Sequence, residues 1–258
     1  MIFIMKDSNS GRLITEKIFA VVFALLVWQA GAMLLNNSML LVTPLTVVKR
    51  LFSLCLESDF LSAVSFSFLR IVSGFLLALV TGSILAGIAG QFHLAEVMIW
   101  PFIVTIKSVP VVSFIILCLI WLSSRNLSVF IAFLMVLPII YTNVLQGIKS
   151  TDNNLLEMAE LFNVNWLKKL KYIYLPQLKP YIISACSVSI GLSWKAGTAA
   201  EVIGIPEGSI GEKLYEAKVY FSSGDLLAWT FVIIVASIAF EKLFLFLLRY
   251  FFKRLERF

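Results

Sequence analysis

Residues 71–91 read IVSGFLLALVTGSILAGIAGQ, and no charged side chain interrupts them. At about 1.5 Å per residue, a helix of that length covers roughly 30 Å, the thickness of the hydrocarbon core of a bilayer. Residues 111–124 and 126–148 are likewise free of charge. A membrane barrel would need strands of about ten residues with alternating polarity, whereas these runs are continuously apolar. The fold class is therefore all-α, a polytopic membrane bundle. The rest of the chain agrees: 60% of its 258 residues are hydrophobic and 14% charged, against roughly 45–50% and 25% in a soluble domain.

Hydropathy predicts about six transmembrane helices, at Ile18–Leu35, Leu61–Gln91, Leu94–Leu122, Leu127–Ile148, Pro180–Val202 and Leu226–Leu248. Pro101 and Pro110 interrupt the third and permit a bend or break there. With the N-terminus inside, 12 Lys and Arg fall in cytoplasmic segments, five outside and four within spans. Lys6, Arg12 and Lys17 precede the first span, Lys149, Lys168, Lys169, Lys171 and Lys179 fill the central loop, and Arg249, Lys253, Arg254 and Arg257 follow the last. This asymmetry puts both termini in the cytoplasm. Residues 1–258 thus make a single transmembrane domain with one polar loop, 151–178, inside it.

In the second span Gly74, Ala78, Gly82, Ala86 and Gly90 recur every four residues, the small-residue stripe that lets helices approach closely in lipid. It serves either packing within the chain or contact with a second copy. Thr43-Pro44 looks like a helix start, followed by Leu45, Val48, Leu51, Phe52 and Cys55 on one face, suited to lying along the membrane surface.

The net charge of +6 is spread through the membrane-flanking segments and no groove-reading motif accompanies it, so nucleic acid is not an expected partner. Cys55, Cys118 and Cys186 are odd in number and widely spaced, which suggests neither a disulfide framework nor a zinc site. His93 is the only histidine, and no metal-ligand or Ser-His-Asp pattern surrounds it. No catalytic residue, metal ligand or internal repeat is found. Ala30-Gly31-Ala32 mimics a signal-peptidase site, but the preceding run is long enough to remain as a span.

The most informative segment is 151–180, the longest polar stretch. Leu155, Met158, Ala159 and Phe162 share one helical face opposite Glu157 and Glu160, and Asn163 accepts the left-handed conformation that ends a helix. A second amphipathic stretch, Trp166–Tyr174, is expected to stop at Leu175-Pro176 and Pro180. The loop either lies on the membrane surface or docks a cytoplasmic partner.

Glu157-Met158-Ala159, three residues, Asn163, nine residues, Ile173, Tyr174, Leu175-Pro176 resembles the EAA-x(3)-G-x(9)-I-x-LP signature of ABC importer permeases. Met158 replaces an alanine and Asn163 the glycine, while the spacing is intact. The wider pattern is similar to the nitrate/sulfonate/taurine-type branch, through Leu69-Arg70, Gly74-Phe75, Val109-Pro110, Trp121, Asp152, Ser193-Trp194-Lys195, Ala199-Ala200-Glu201, Gly204, Gly211 and Ala217. The resemblance implies that Leu155 to Phe162 inserts into a cleft on an ATPase subunit, with Glu157 at the contact. It implies a second copy of the chain, ABC ATPase subunits and an extracytoplasmic solute-binding protein as partners within the lipid bilayer of the cell membrane. This chain has no G-x-x-x-x-G-K-[ST] loop, so no cofactor is expected on it; ATP and Mg²⁺ belong to the partner ATPase.

Arg70, Lys107, Lys195 and Lys242 fall within spans, where a central charge costs roughly 2.5–3.5 kcal/mol unless it finds a partner, a cavity or the interface. Arg70 and Lys242 suit the interface. Lys107 and Lys195, with Trp194 and Glu201, are the substrate-pathway candidates and would favour an anion. The lysines serve equally well as structural groups, Lys195 paired for example with Glu201. A rival reading makes the chain a self-sufficient secondary transporter or channel, with Lys107, Lys195 and Glu201 as its relay.

Overall fold

A computed structural model describes residues 10–35 and 41–255. Lys6 and Arg257 lie outside the described residues, as do the side chains of Arg12 and Lys17. The helices in chain order are α1 (Ser10–Leu35), α2 (Pro44–Cys55), α3 (Phe60–Gln91), α4 (His93–Ser108), α5 (Val111–Leu119), α6 (Ser124–Lys149), α7 (Asn153–Leu161), α8 (Trp166–Lys169), α9 (Leu175–Gly204), α10 (Ile210–Val219) and α11 (Ser223–Leu255). There is no strand among the described residues.

Residues 18–35 of α1, together with α3, α6 and α11, are each long and apolar enough to cross a membrane, and α4 with α5 reaches that length and hydropathy only as a bent pair. The predicted single span Leu94–Leu122 is corrected to two helices that meet at 100°. Pro110 causes the break: it supplies no N–H and pushes Val109 into extended conformation, φ −80° and ψ 132°. Pro101 by contrast sits inside α4, where the Thr105 hydroxyl donates to the Pro101 carbonyl at 2.8 Å. The fifth expected span, Pro180–Val202, corresponds to α9, whose 30 residues suffice in length. It is less apolar than the others, carrying Lys179, Lys195, Glu201 and several serines.

α6 is the central helix, packed between α3 and α9. The face of α3 that it covers repeats at helical period: Ser67, Ile71, Gly74, Ala78, Gly82, Ala86 and Ala89 are all buried. A Cβ at Gly74 would stand 2.3 Å from the Val129 carbonyl oxygen of α6, so only glycine lets the two backbones come this close. Ile71, Phe75, Val136, Ile140, Ile190 and Trp194 fill the middle of the bundle. Phe75 meets Phe240 and Phe244 edge-to-face, with centroids 5.8 and 5.1 Å apart, and so joins α3 to α11.

At the opposite end from the loop, Val47 and Leu54 of α2 pack with Ile210 of α10 and with Ala228, Trp229 and Val232 of α11. Thr43 caps α2, its hydroxyl accepting from the Thr46 N–H at 3.4 Å. Leu45, Val48 and Phe52 remain exposed on the other side of the same helix. Arg50 ties this helix to α11 through a charge-assisted bond from its Nε to Asp225.

Candidate functional site

The polar loop is built by local capping. Asp152 Oδ1 accepts from the Asn154 N–H at 2.9 Å and starts α7. At the other end Asn163 adopts φ +49°, the Val164 N–H donates to the Ala159 carbonyl, and the Asn163 N–H donates to that of Glu160, both at 2.9 Å. These are the paired bonds of a Schellman termination, in which the left-handed position falls on Asn163. Of α7's residues only Ala159 is buried. Leu155, Met158 and Phe162 face outward, Phe162 at 76% exposure, and Leu161 at 83%. Glu157 is exposed as well. Thus α7 presents apolar side chains that nothing in the described chain covers.

The expected stop after Tyr174 is absent. From α8 the backbone continues through a π-helical turn, Leu170–Tyr174, directly into α9, with Leu175 donating its N–H to the Leu170 carbonyl. Pro176 falls in the first turn of α9, where its missing N–H is tolerated, and Pro180 lies inside the helix. Ile173, Leu175 and Pro176 therefore lie on one unbroken helix with Trp194 and Glu201. Two bonds fasten the loop's end of the bundle: Lys149 Nζ reaches Glu96 Oε1 at 2.6 Å, and Gln177 Nε2 reaches the Ser150 carbonyl at 3.4 Å.

The four pathway candidates do not converge. Lys107, in the last turn of α4, and Lys195, on α9, are exposed and have no carboxylate partner among the described residues. Trp194 is a core residue, edge-on to Phe68 at 5.9 Å. Glu201 is 0% exposed. No ion pair joins Lys195 to Glu201, and the relay of the rival reading is not assembled.

Glu201 instead organises a buried polar node. Ser67 of α3 donates its hydroxyl to Glu201 Oε2 at 2.6 Å and accepts the Ile210 N–H at 2.9 Å. The Gly211 N–H points at the same carboxyl oxygen from 3.4 Å. A carboxylate beside the first N–H groups of α10 is favourably placed against that helix's dipole. Contact is so close that a Cβ on Gly211 would fall 2.2 Å from the Glu201 Cβ. Ser209 caps α10 by accepting from the Glu212 N–H at 3.0 Å, while Glu212 Oε2 accepts from the Gly208 N–H at 2.6 Å. Between α9 and α10 the chain turns through Ile205, a β-branched residue at φ +46°. Glu201 Oε1 and the Ser128 hydroxyl of α6 are buried without a bonded partner. Sequence reading missed Ser67 and Ser209; the Ser209-x-x-Glu212 spacing was a legible capping box, whereas nothing marked Ser67. No group of three His, Cys, Asp or Glu able to hold a metal occurs among the described residues.

Residues 78–257, which include the loop, α9 and α10 with Glu201, match the family described as "Binding-protein-dependent transport system inner membrane component". The chain belongs to this family. It is an ABC importer permease, a multi-pass protein of the inner membrane. This permease is 25% identical over 205 residues to the "Putative aliphatic sulfonates transport permease protein SsuC" of Bacillus subtilis, covering 78% of this chain and 74% of that one. A "Probable ABC transporter permease protein" of Brucella melitensis is 21% identical over 187 residues, 72% of this chain and 76% of its own. The SsuC of Escherichia coli is 27% identical over 139 residues, 54% of this permease and 50% of the relative. Among solved structures, "Crystal structure of an amino acid ABC transporter with histidines" superposes with a TM-score of 0.58 at 17% identity, covering 83% of this permease and 99% of that chain. At that identity the likeness concerns the fold. The permease family match begins after α2, so α1 and α2 lie outside the matched residues.

Proposed function

We propose that the chain forms one half of a homodimeric solute pathway, takes solute from an extracytoplasmic binding protein, and is driven by separate ATPase subunits docked on α7. Residues 1–258 act as a single permease domain, with both termini and the coupling loop 151–178 in the cytoplasm. ATP and Mg²⁺ are held by the ATPase, and this chain carries no cofactor. The supporting observation is the surface of α7, a helix capped at both ends whose Leu155, Met158, Leu161 and Phe162 face away from the bundle. Exposed apolar side chains on a rigid, polar-flanked helix suit insertion into a groove of another protein. Charge reversal at Glu157, E157K, together with Met158→Asp, tests the docking. Both variants are expected to insert in the membrane normally, yet to lose most of the ATPase that co-purifies with the wild-type chain. Undiminished co-purification would move the docking surface elsewhere.

The proposed cargo is a nitrate-, sulfonate- or taurine-like solute or another small organic solute. Relatives named for aliphatic sulfonates support this, as do two lysines, Lys107 and Lys195, that no carboxylate among the described residues neutralises. Replacing Lys195 with Met is expected to slow uptake of an anionic solute at least several-fold while leaving assembly with the ATPase intact. Unchanged uptake kinetics would take Lys195 out of the pathway.

A further inference from the structure

On the sides where α9 packs, its polar groups are matched and its surface is closed. The Ser187 hydroxyl donates to Glu241 Oε1 of α11 at 2.7 Å, and the Ser193 hydroxyl donates to the Ile190 carbonyl at 2.7 Å. A Cβ at Gly197 would stand 2.7 Å from the Ile71 side chain of α3. Ser184, Val188, Gly191 and Lys195 follow one another at helical spacing along a different side, which the neighbouring helices leave open. Ser184, Val188 and Lys195 are exposed, and a Cβ added at Gly191 would meet no atom within 4 Å. Neither Ser184 nor Lys195 has a hydrogen-bond or ion partner among the described residues.

This open side is not made for lipid. The exposed positions of α11 include Phe231, Ile234, Val235 and Ile238, and those of α3 include Leu76, Leu77, Val80 and Ile84, as hydrocarbon requires. Of the large apolar side chains of α9 only Val188 and Ile203 are exposed. Gly191 falls at the midpoint of Pro180–Val202, and Lys195 lies seven residues short of Val202, so both stand within the depth of the hydrocarbon. A charge at that depth faces a partner or a water-filled cavity. Lys195 has no such partner among the described residues, and the space beside Gly191 is empty of protein.

We propose that Ser184, Val188, Gly191 and Lys195 form one wall of a water-filled anion path, in which Gly191 keeps the mid-membrane section open and Lys195, one turn away, supplies the attracting charge. Cationic side chains along a pore favour anions, and a position without a side chain lets a solute approach the backbone closely. The assignment rests on the pathway reading of Lys195 given above and adds Ser184, Val188 and Gly191 to it; ATPase docking on α7 does not enter.

Two small thiol reagents of opposite charge test the wall, the anionic sulfonatoethyl and the cationic trimethylammonioethyl methanethiosulfonate. They are applied in mild detergent to single introduced cysteines in a full-length Cys55→Ser chain, whose Cys118 and Cys186 are buried. Gly191→Cys places its side chain in open space and Ser184→Cys exchanges one small group for another, so both should elute like the wild type. Both should react with the two reagents, while Val235→Cys, on the exposed apolar side of α11, stays unmodified. With rates expressed relative to those of free cysteine, Gly191→Cys should favour the anionic reagent about threefold or more, and adding Lys195→Met should bring the ratio close to unity. A Gly191→Cys chain as unreactive as Val235→Cys overturns the proposal: a disulfide-linked dimer on oxidation then puts a second copy on this side, and its absence puts lipid there. Equal rates with Lys195 present, or a preference that survives Lys195→Met, overturn the anion path as well. Should Lys195→Met slow uptake in spite of such a result, the pathway reading stands and only this wall is lost.

Discussion

Ser67 donates to Glu201 and accepts from Ile210, so one hydroxyl holds three helices, α3, α9 and α10, at a fully buried point. Ser67→Ala leaves a buried carboxyl oxygen and a buried N–H without this partner, and each such group costs about 1–3 kcal/mol. Gly211→Ala acts on the same node by crowding, because its new methyl would meet the Glu201 Cβ at 2.2 Å with backbone atoms close behind. Overpacking of this kind costs about 1–3 kcal/mol. Both variants should melt several degrees below the wild type in detergent, and a combined variant should melt little lower than the worse single, since they damage one cluster. Full additivity would mean that Ser67 and Gly211 serve separate structures.

Among the elements, α3 shows how differently one residue type is used on two faces of one helix. Gly74→Leu drives a side chain into the Val129 carbonyl and the backbone of α6, and should abolish recovery of monodisperse protein. Gly87→Leu, on the same helix, enters open space and should leave thermal stability within about 0.5 kcal/mol of the wild type. Size-exclusion profiles and melting curves of the two variants check the contrast. Element ends were legible where their chemistry is local: Asp152 and Asn163 cap α7 with their own side chain and backbone. The stop expected at Pro176 and Pro180 failed because a π turn, which no spacing announces, carries the helix on into α9. The Glu201 node was illegible for a different reason. Ser67 and Glu201 are 134 residues apart in the chain, and only the packing of α3 against α9 brings them together.

For the whole molecule, the composition and the charge-free runs settle a helical membrane bundle, and the motif leads to the loop. The number of crossings is harder to read, because α9 is shielded by α3 and α6 and tolerates polar residues that an exposed crossing would not. The proposed orientation has a direct check in the native cysteines: Cys55 is exposed on α2, while Cys118 and Cys186 are buried. A membrane-impermeant maleimide applied to the outer face of the inner membrane in spheroplasts should label Cys55 alone, and Cys55→Ser should abolish labelling. Labelling of Cys55 only after the cells are broken would invert the topology.

The unbroken helix from Trp166 to Gly204 has a mechanical meaning at this scale. Its near end follows directly on α7, and its far end carries Glu201 beneath α10, about 50 Å away at 1.5 Å per residue. A rod of that length works as a lever, so a tilt of about a tenth of a radian separates its ends sideways by roughly 5 Å. Hydrogen bonds such as those at Ser67 lose their hold within less than 1 Å of stretch. With an ATPase docked on α7 as proposed, a modest push on the loop is expected to reach the opposite face of the membrane as a release of α10.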